Sequence, residues 1–272
     1  MPSRKSNRSF AQMIRTYSIS LLFILVEVSL HAQSIQVDLL KQAEYVGTVN
    51  GLTHFRNGIR FQIESTDTLN LGAVEIHWSI KKGRKLLDKT HLVTLSNGDS
   101  IIYRAFYQQK LTGDLDTCID DCWTYRLLHK YTDSTQLSRL LSRATAHNLH
   151  VDLSHLEPFR SAFGYSCFFD ASMPREGQKM LELIQSKNHE ELTHWLYSIN
   201  PVKQAYAYLG FRLLQNRDSL HLDSSTIQKL KDLPMRSTKL YTCSGCTIWT
   251  HQSMQSQLTE GEVNAFLASH RR

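Results

Sequence analysis

No apolar run in this 272-residue chain reaches the roughly 20 residues that a helix needs to cross a hydrocarbon core. The nearest approach, Ile19–Val26, is broken by Ser20 and closed by Glu27. Proline is scarce, with five residues, and no stretch is rich in Pro, Gly or Ser. A flexible linker of the usual composition is therefore absent. No glycine-rich loop has the spacing that cradles phosphate. Ser166, in Gly164-Tyr165-Ser166-Cys167, lacks the second glycine of a nucleophile elbow. No cysteine lies between Ile19 and Ile35, so lipid attachment at a new N-terminus there is not expected.

The first residues carry a different pattern. Arg4, Lys5, Arg8 and Arg15 precede the apolar run, and Ala32 offers a small residue for cleavage. A basic start, a short apolar stretch and a small residue before the cut make a secretory signal. The pattern resembles the leaders of exported bacterial proteins. Residues 1–32 are thus expected to be a signal peptide, and the protein to be periplasmic or extracellular. An uncleaved single anchor is the rival. The formal net charge is +6, and the leader's four basic residues against Glu27 remove half of it. The remaining basic residues are scattered apart from Lys81-Lys82-Gly83-Arg84-Lys85, which reads as a solvated turn. Nucleic acid is therefore not an expected partner. An unidentified protein or envelope partner is.

The sequence changes character near residue 130. Before it, β-like runs alternate with turns. Val74, Ile76, Trp78 and Ile80 fall on one face and Glu75, His77 and Ser79 on the other, the pattern of a half-buried strand. Ile59–Ile63 and His91–Leu95 are further strands, the latter closed by Asn97-Gly98-Asp99. Ile101–Tyr107 fits either a strand or a helix.

After residue 130, helices dominate. Leu137, Leu140, Leu141 and Ala144 follow the capping candidates Asp133 and Ser134. Met180, Leu183 and Ile184 share a face. Asn188 with Glu191 spells a capping-box-like start before Leu192, Trp195, Leu196 and Ile199. Asn200-Pro201 opens a helix that is apolar nearly all round, and hence buried. Ser224–Leu233 ends at Pro234. Thr259 with Glu262 caps a last helix bearing Val263, Phe266 and Leu267. The fold class is α+β: a small β-containing part over 33–130, then a predominantly helical part over 131–272.

Five cysteines, Cys118, Cys122, Cys167, Cys243 and Cys246, form two short-spaced pairs and one single residue. In an oxidising compartment the expected role is structural disulfides, within each pair or between the pairs. A second reading is thiol-disulfide exchange at Cys243-Ser244-Gly245-Cys246. The C-x-x-C spacing is similar to that of the thioredoxin family. That family usually places Trp before the first Cys and a cis-Pro opposite. Here Thr242 precedes, and no proline follows. A third reading closes a four-thiolate zinc site from Cys118, Cys122, Cys243 and Cys246. Thr247 stands where c-type haem attachment requires His.

Other clusters read as surface or packing. His189 and His194 are five apart, not the four that place two ligands on one helix face. His147, His150 and His155 gather near Asp152 without a known metal spacing. Asp114, Asp116, Asp120 and Asp121 lack the glycine and distal Glu of a calcium loop. No metal, no cofactor and no catalytic constellation is assigned. The function expected is a non-catalytic, exported binding or structural protein stabilised by disulfides.

Overall fold

A computed structural model describes residues 43, 46–55, 59–82, 85–111, 123–153, 156, 160–167, 172–217, 221–245 and 248–270. The leader, Cys118, Cys122, Cys246, His155 and the acidic loop lie outside these residues. The chain divides into Met1–Gly47 and Thr48–Arg272. In the first, Val46 N–H donates to Ala43 O.

The second unit is α+β. Its β part is a five-stranded antiparallel meander in the order β1 (Ile59–Thr68), β2 (Ala73–Lys82), β3 (Lys85–Asn97), β4 (Ser100–Leu111) and β5 (Trp123–Thr132). A short helix, α1 (Val49–His54), precedes it. Helices α2 (Ser134–Ala146), α3 (Arg175–Gln185), α4 (His189–Leu196), α5 (Pro201–Arg217) and α6 (Ser224–Asp232) come next. A hairpin of β6 (Lys239–Ser244) and β7 (Ile248–Ser253) leads to α7 (Met254–Gln257) and α8 (Glu260–Ser269). Among the described residues, no helix is long and apolar enough to cross a membrane.

The alternation in β2 sorts its side chains as the sequence indicates. Ile76, Trp78 and Ile80 share a face with Phe61, Leu92 and Phe106, their register neighbours or next in line. Trp78 Nε1–H donates to Thr94 Oγ1 at 2.9 Å, which satisfies the one polar group of a fully buried ring. Phe55, just after α1, meets Phe61 edge-on.

The opposite face is the departure. Glu75, His77 and Ser79 are only 4%, 6% and 2% exposed. Alternation places residues on faces, but it does not say which faces stay wet. Here α2 packs Leu140 and Ala144 into a cluster with Val93, Leu95, Tyr103 and Ala105 on that same face. Ile199 and Leu156 complete the cluster from the helical half. Ile101–Tyr107, ambiguous in sequence, is the core of β4.

Helix starts obey their caps. Asp133 Oδ1 accepts from Gln136 N–H, Asn188 Oδ1 from Glu191 N–H, and Thr259 Oγ1 from Glu262 N–H. The Glu191 carboxylate does not reach back to the cap. It accepts from Trp195 Nε1–H at 2.9 Å, one turn on, because the buried indole needs an acceptor. Helix α5 is buried nearly all round and forms the centre of the second core with Leu192, Trp195, Leu240 and Phe266.

Cys167 and Cys243, separated by 76 positions in sequence, are joined by a disulfide with Cα atoms 5.6 Å apart. The bond thus involves the residue that belonged to neither short-spaced pair. The corner around it is built on Gly164. The Gly164 N–H donates to Tyr206 Oη, and the Tyr206 hydroxyl donates to Gly164 O, both at 3.0 Å. A Cβ on Gly164 would lie 2.5 Å from Cys167 Sγ and 2.6 Å from Cys243 O. The backbone here cannot yield, because Phe163 also pairs with β6 on both sides. Gly164→Ala is predicted to destabilise the protein by about 1–3 kcal/mol through overpacking. Urea melts of the oxidised protein check this, and an unchanged midpoint would refute it.

Candidate functional site

Polar groups on a buried sheet face must find partners or pay desolvation. Asp67 on β1 and Glu75 on β2 are register partners, so two carboxylates lie side by side. Like charges opposed across strands destabilise a sheet. Each carboxylate has its own partner. His77 Nε2 lies 2.9 Å from Glu75 Oε1, two residues along the same strand and face. Asp67 takes a two-pronged contact from Arg160, with Nε to Oδ2 at 2.6 Å and Nη2 to Oδ1 at 2.7 Å. The planar guanidinium fits a carboxylate this way, and the fit is stronger than a single bond. Arg160 also lies over the Tyr241 ring at 3.2 Å and donates to His251 Nε2 at 3.0 Å. Tyr241 in turn stacks on Trp249, which is 39% exposed.

Two small cavities flank Glu75. One, of about 20 Å³, is lined by Glu75, Asp152, Ser198, Asn200 and Lys203 together with apolar side chains. The other, of about 10 Å³, is lined by Asp67, Glu75, Ser161, Asn200 and Tyr241 among others. The first has room for about one water molecule. Asp152, one of its lining residues, is exposed.

Asn200 sets the shape of this region. Its Oδ1 accepts from Val202 N–H and caps α5, and its Nδ2 donates to Ser161 Oγ. Asn70 ties the sheet to the same turn. Its backbone N–H and its Nδ2 both donate to Ile199 O, and Nδ2 also donates to Gln204 Oε1.

Lys203 projects from the first turn of α5 and is 5% exposed. Its Nζ lies 5.4 Å from the Trp195 ring centre. Among the described residues it has no hydrogen bond or ion pair. Burial pushes its ammonium down to about 8, against the pull of Asp152, Glu176 and Glu191, and Lys179 lowers it further. Glu176, in the first turn of α3, shifts the other way. Burial raises its carboxyl, opposed by hydrogen bonds from its own N–H and from Ser161 and by Lys203. The two groups are thus pushed toward neutrality, an arrangement that recurs at sites where protons move.

The cysteine candidates are only partly placed. Cys243 is bonded to Cys167 and therefore offers no thiolate to a four-cysteine zinc site in this form. His194 is exposed, with its ring 5.3 Å from that of His150. Among the described residues, no group of three or more His, Cys, Asp or Glu is placed to hold a metal. The site residues that sequence reasoning passed over are Glu75, His77 and Lys203, together with Asp67, Arg160, Tyr241 and His251. The first two looked like a wet strand face. Lys203 did leave a signal, being a charge inside a helix that is apolar nearly all round. No family model, no curated protein and no solved structure matches the chain.

A lysine whose folded pKa lies below its unfolded value of about 10.4 binds its proton less tightly when folded. Protonation then favours unfolding. The penalty is complete below pH 8 and fades as pH rises from about 8 to about 10.4. Lys203→Met is predicted to be more stable than the parent at pH 7 by roughly 2–3 kcal/mol, and to lose that advantage near pH 10. Urea melts across this range test it. A variant no more stable than the parent at pH 7 would refute it.

Proposed function

We propose that this is an exported, non-catalytic binding or structural module, stabilised by disulfide bonding, that acts on a protein or envelope partner. The observation that carries the reading is the Cys167–Cys243 bond. Both residues are almost fully buried, at 0% and 5% exposure. Disulfides persist in oxidising compartments, and a closed loop of this length restricts the unfolded chain by up to ~4–5 kcal/mol in the entropy model. The leader pattern independently supports export.

The partner surface we assign is the hairpin edge that carries Tyr241, Trp249 and His251, with Arg160 stacked beneath. Tyr, Trp and Arg are the residues most enriched where binding energy concentrates. The Asp67–Arg160 contact and the nearby disulfide fix these rings before any partner arrives, which reduces the ordering cost of association.

Thiol-disulfide exchange through Cys243 and Cys246 is the competing function. An exchange protein needs a sulfur that incoming thiolates can reach, whereas Cys243 is buried. Protein taken from cells and alkylated under denaturing, non-reducing conditions separates the readings by intact mass and peptide mapping. The expected result is a chain lacking residues 1–32, a Cys167–Cys243 cross-linked peptide, and no turnover in insulin reduction. A full-length chain with all five thiols alkylated would overturn export. Turnover abolished by Cys246→Ser in a normally folded protein would replace binding with exchange.

A further inference from the structure

We propose that His150 and His194 together bind a zinc ion, whose remaining positions stay open to an incoming donor. The inference does not rest on the binding role proposed above, because other residues carry it.

Sequence spacing points His194 to His189, five residues back on α4, and that pair cannot meet at one ion. The fold gives His194 a different neighbour. The segment after α2 runs alongside the end of α4. His150 N–H donates to Tyr197 O at 2.6 Å, and Ile199 N–H donates to His150 O at 2.9 Å. These bonds make a parallel bridge between His150 and Ser198. They hold the His150 backbone against the turn that follows His194. The two imidazole rings stand 5.3 Å apart, centre to centre, and are inclined at 53°. Tyr197 meets the His150 ring edge-on.

That separation is one that a tetrahedral ion produces. Two imidazoles on one zinc, each with an N–Zn bond of about 2.0–2.1 Å, put their ring centres about 5 Å apart. Neighbouring positions of a square-planar ion would draw them in to about 4.5 Å. The observed spacing fits the first.

The nitrogens are available. Both residues are exposed, so an ion reaches them from solvent. Among the described residues, the His150 ring makes no hydrogen bond or ion pair. His194 Nδ1 lies 3.6 Å from Glu191 Oε2, which leaves Nε2 for a ligand. A carboxylate behind a ligating histidine favours the Nδ1–H tautomer and raises the basicity of the other nitrogen. Glu191 is itself held, since its other oxygen accepts from Trp195 Nε1–H at 2.9 Å. The carboxylate therefore stays behind the ring without swinging to the ion. With two protein ligands rather than three, half of a tetrahedral shell remains for water or for a donor from another molecule.

Calorimetric titration of the full chain with zinc tests this, with free thiols alkylated so that cysteine does not compete. One ion per chain is expected at this site. His150→Ala and His194→Ala, both surface changes, should each weaken binding at least about tenfold, and Glu191→Gln, which keeps an acceptor for Trp195, about tenfold. His189→Ala should leave it unchanged. The imidazole nitrogen NMR signals of His150 and His194 should shift together as one equivalent of zinc is added. No zinc binding, or binding that survives both His150→Ala and His194→Ala, would overturn the proposal. So would a loss with His189→Ala equal to that with His194→Ala, which would place the ion on α4 alone.

Discussion

Asp67 and Glu75 lie side by side across β1 and β2, on a face that the helical half covers. Two neighbouring carboxylates in that position need partners, and the partners come from different places. His77 serves Glu75 from within the strand. Arg160 serves Asp67 from the segment that leads into the disulfide corner. The second contact draws the rest after it. Arg160 stacks on Tyr241 of β6 and touches His251 of β7, so one guanidinium joins sheet, loop and hairpin. Asn70 to Ile199, Tyr107 to Leu156 and Arg143 to Leu71 add further hydrogen bonds between the β meander and the segments packed against it. Removing one partner of such a pair leaves the other charge uncompensated, which costs far more than the pair itself contributes.

The elements of the fold were legible where local rules act alone. Caps at Asp133, Asn188, Asn200 and Thr259 marked helix starts because a side-chain oxygen can satisfy an orphan N–H only there. The buried helix α5 was legible because Val202–Leu214 is apolar nearly all round. The burial of Glu75, His77 and Ser79 was not, because a period of two assigns faces without naming what covers them. That information sits in Leu140, Ala144, Leu156 and Ile199, more than sixty residues away in sequence. The disulfide partner was illegible for a similar reason. Cys167 and Cys243 meet because Phe163 pairs with Tyr241 and Cys243 of β6, on either side of Thr242, and short cysteine spacing says nothing about that pairing.

Two features of the seam run against stability. Lys203 holds a charge where burial opposes it, and Gln204 keeps a buried amide nitrogen without a partner among the described residues. They are consecutive residues at the start of α5, directly behind the cavity that Glu75 also lines. Local choices that conflict with packing are expected where a chain is shaped by function. The disulfide corner and the Arg160 stack offset that conflict from the other side of the same seam, by fixing the hairpin against β1.

The central claim is that sheet and helices of Thr48–Arg272 form one cooperative structure held through this seam. Native-state hydrogen exchange tests it most directly, because it reports the opening free energy of each amide separately. The slowest amides of β2, β3 and α5 are predicted to exchange with the same free energy, equal to that of global unfolding, and to respond equally to added denaturant. Helix α5 exchanging through a separate, larger opening free energy while β2 and β3 open earlier would contradict it.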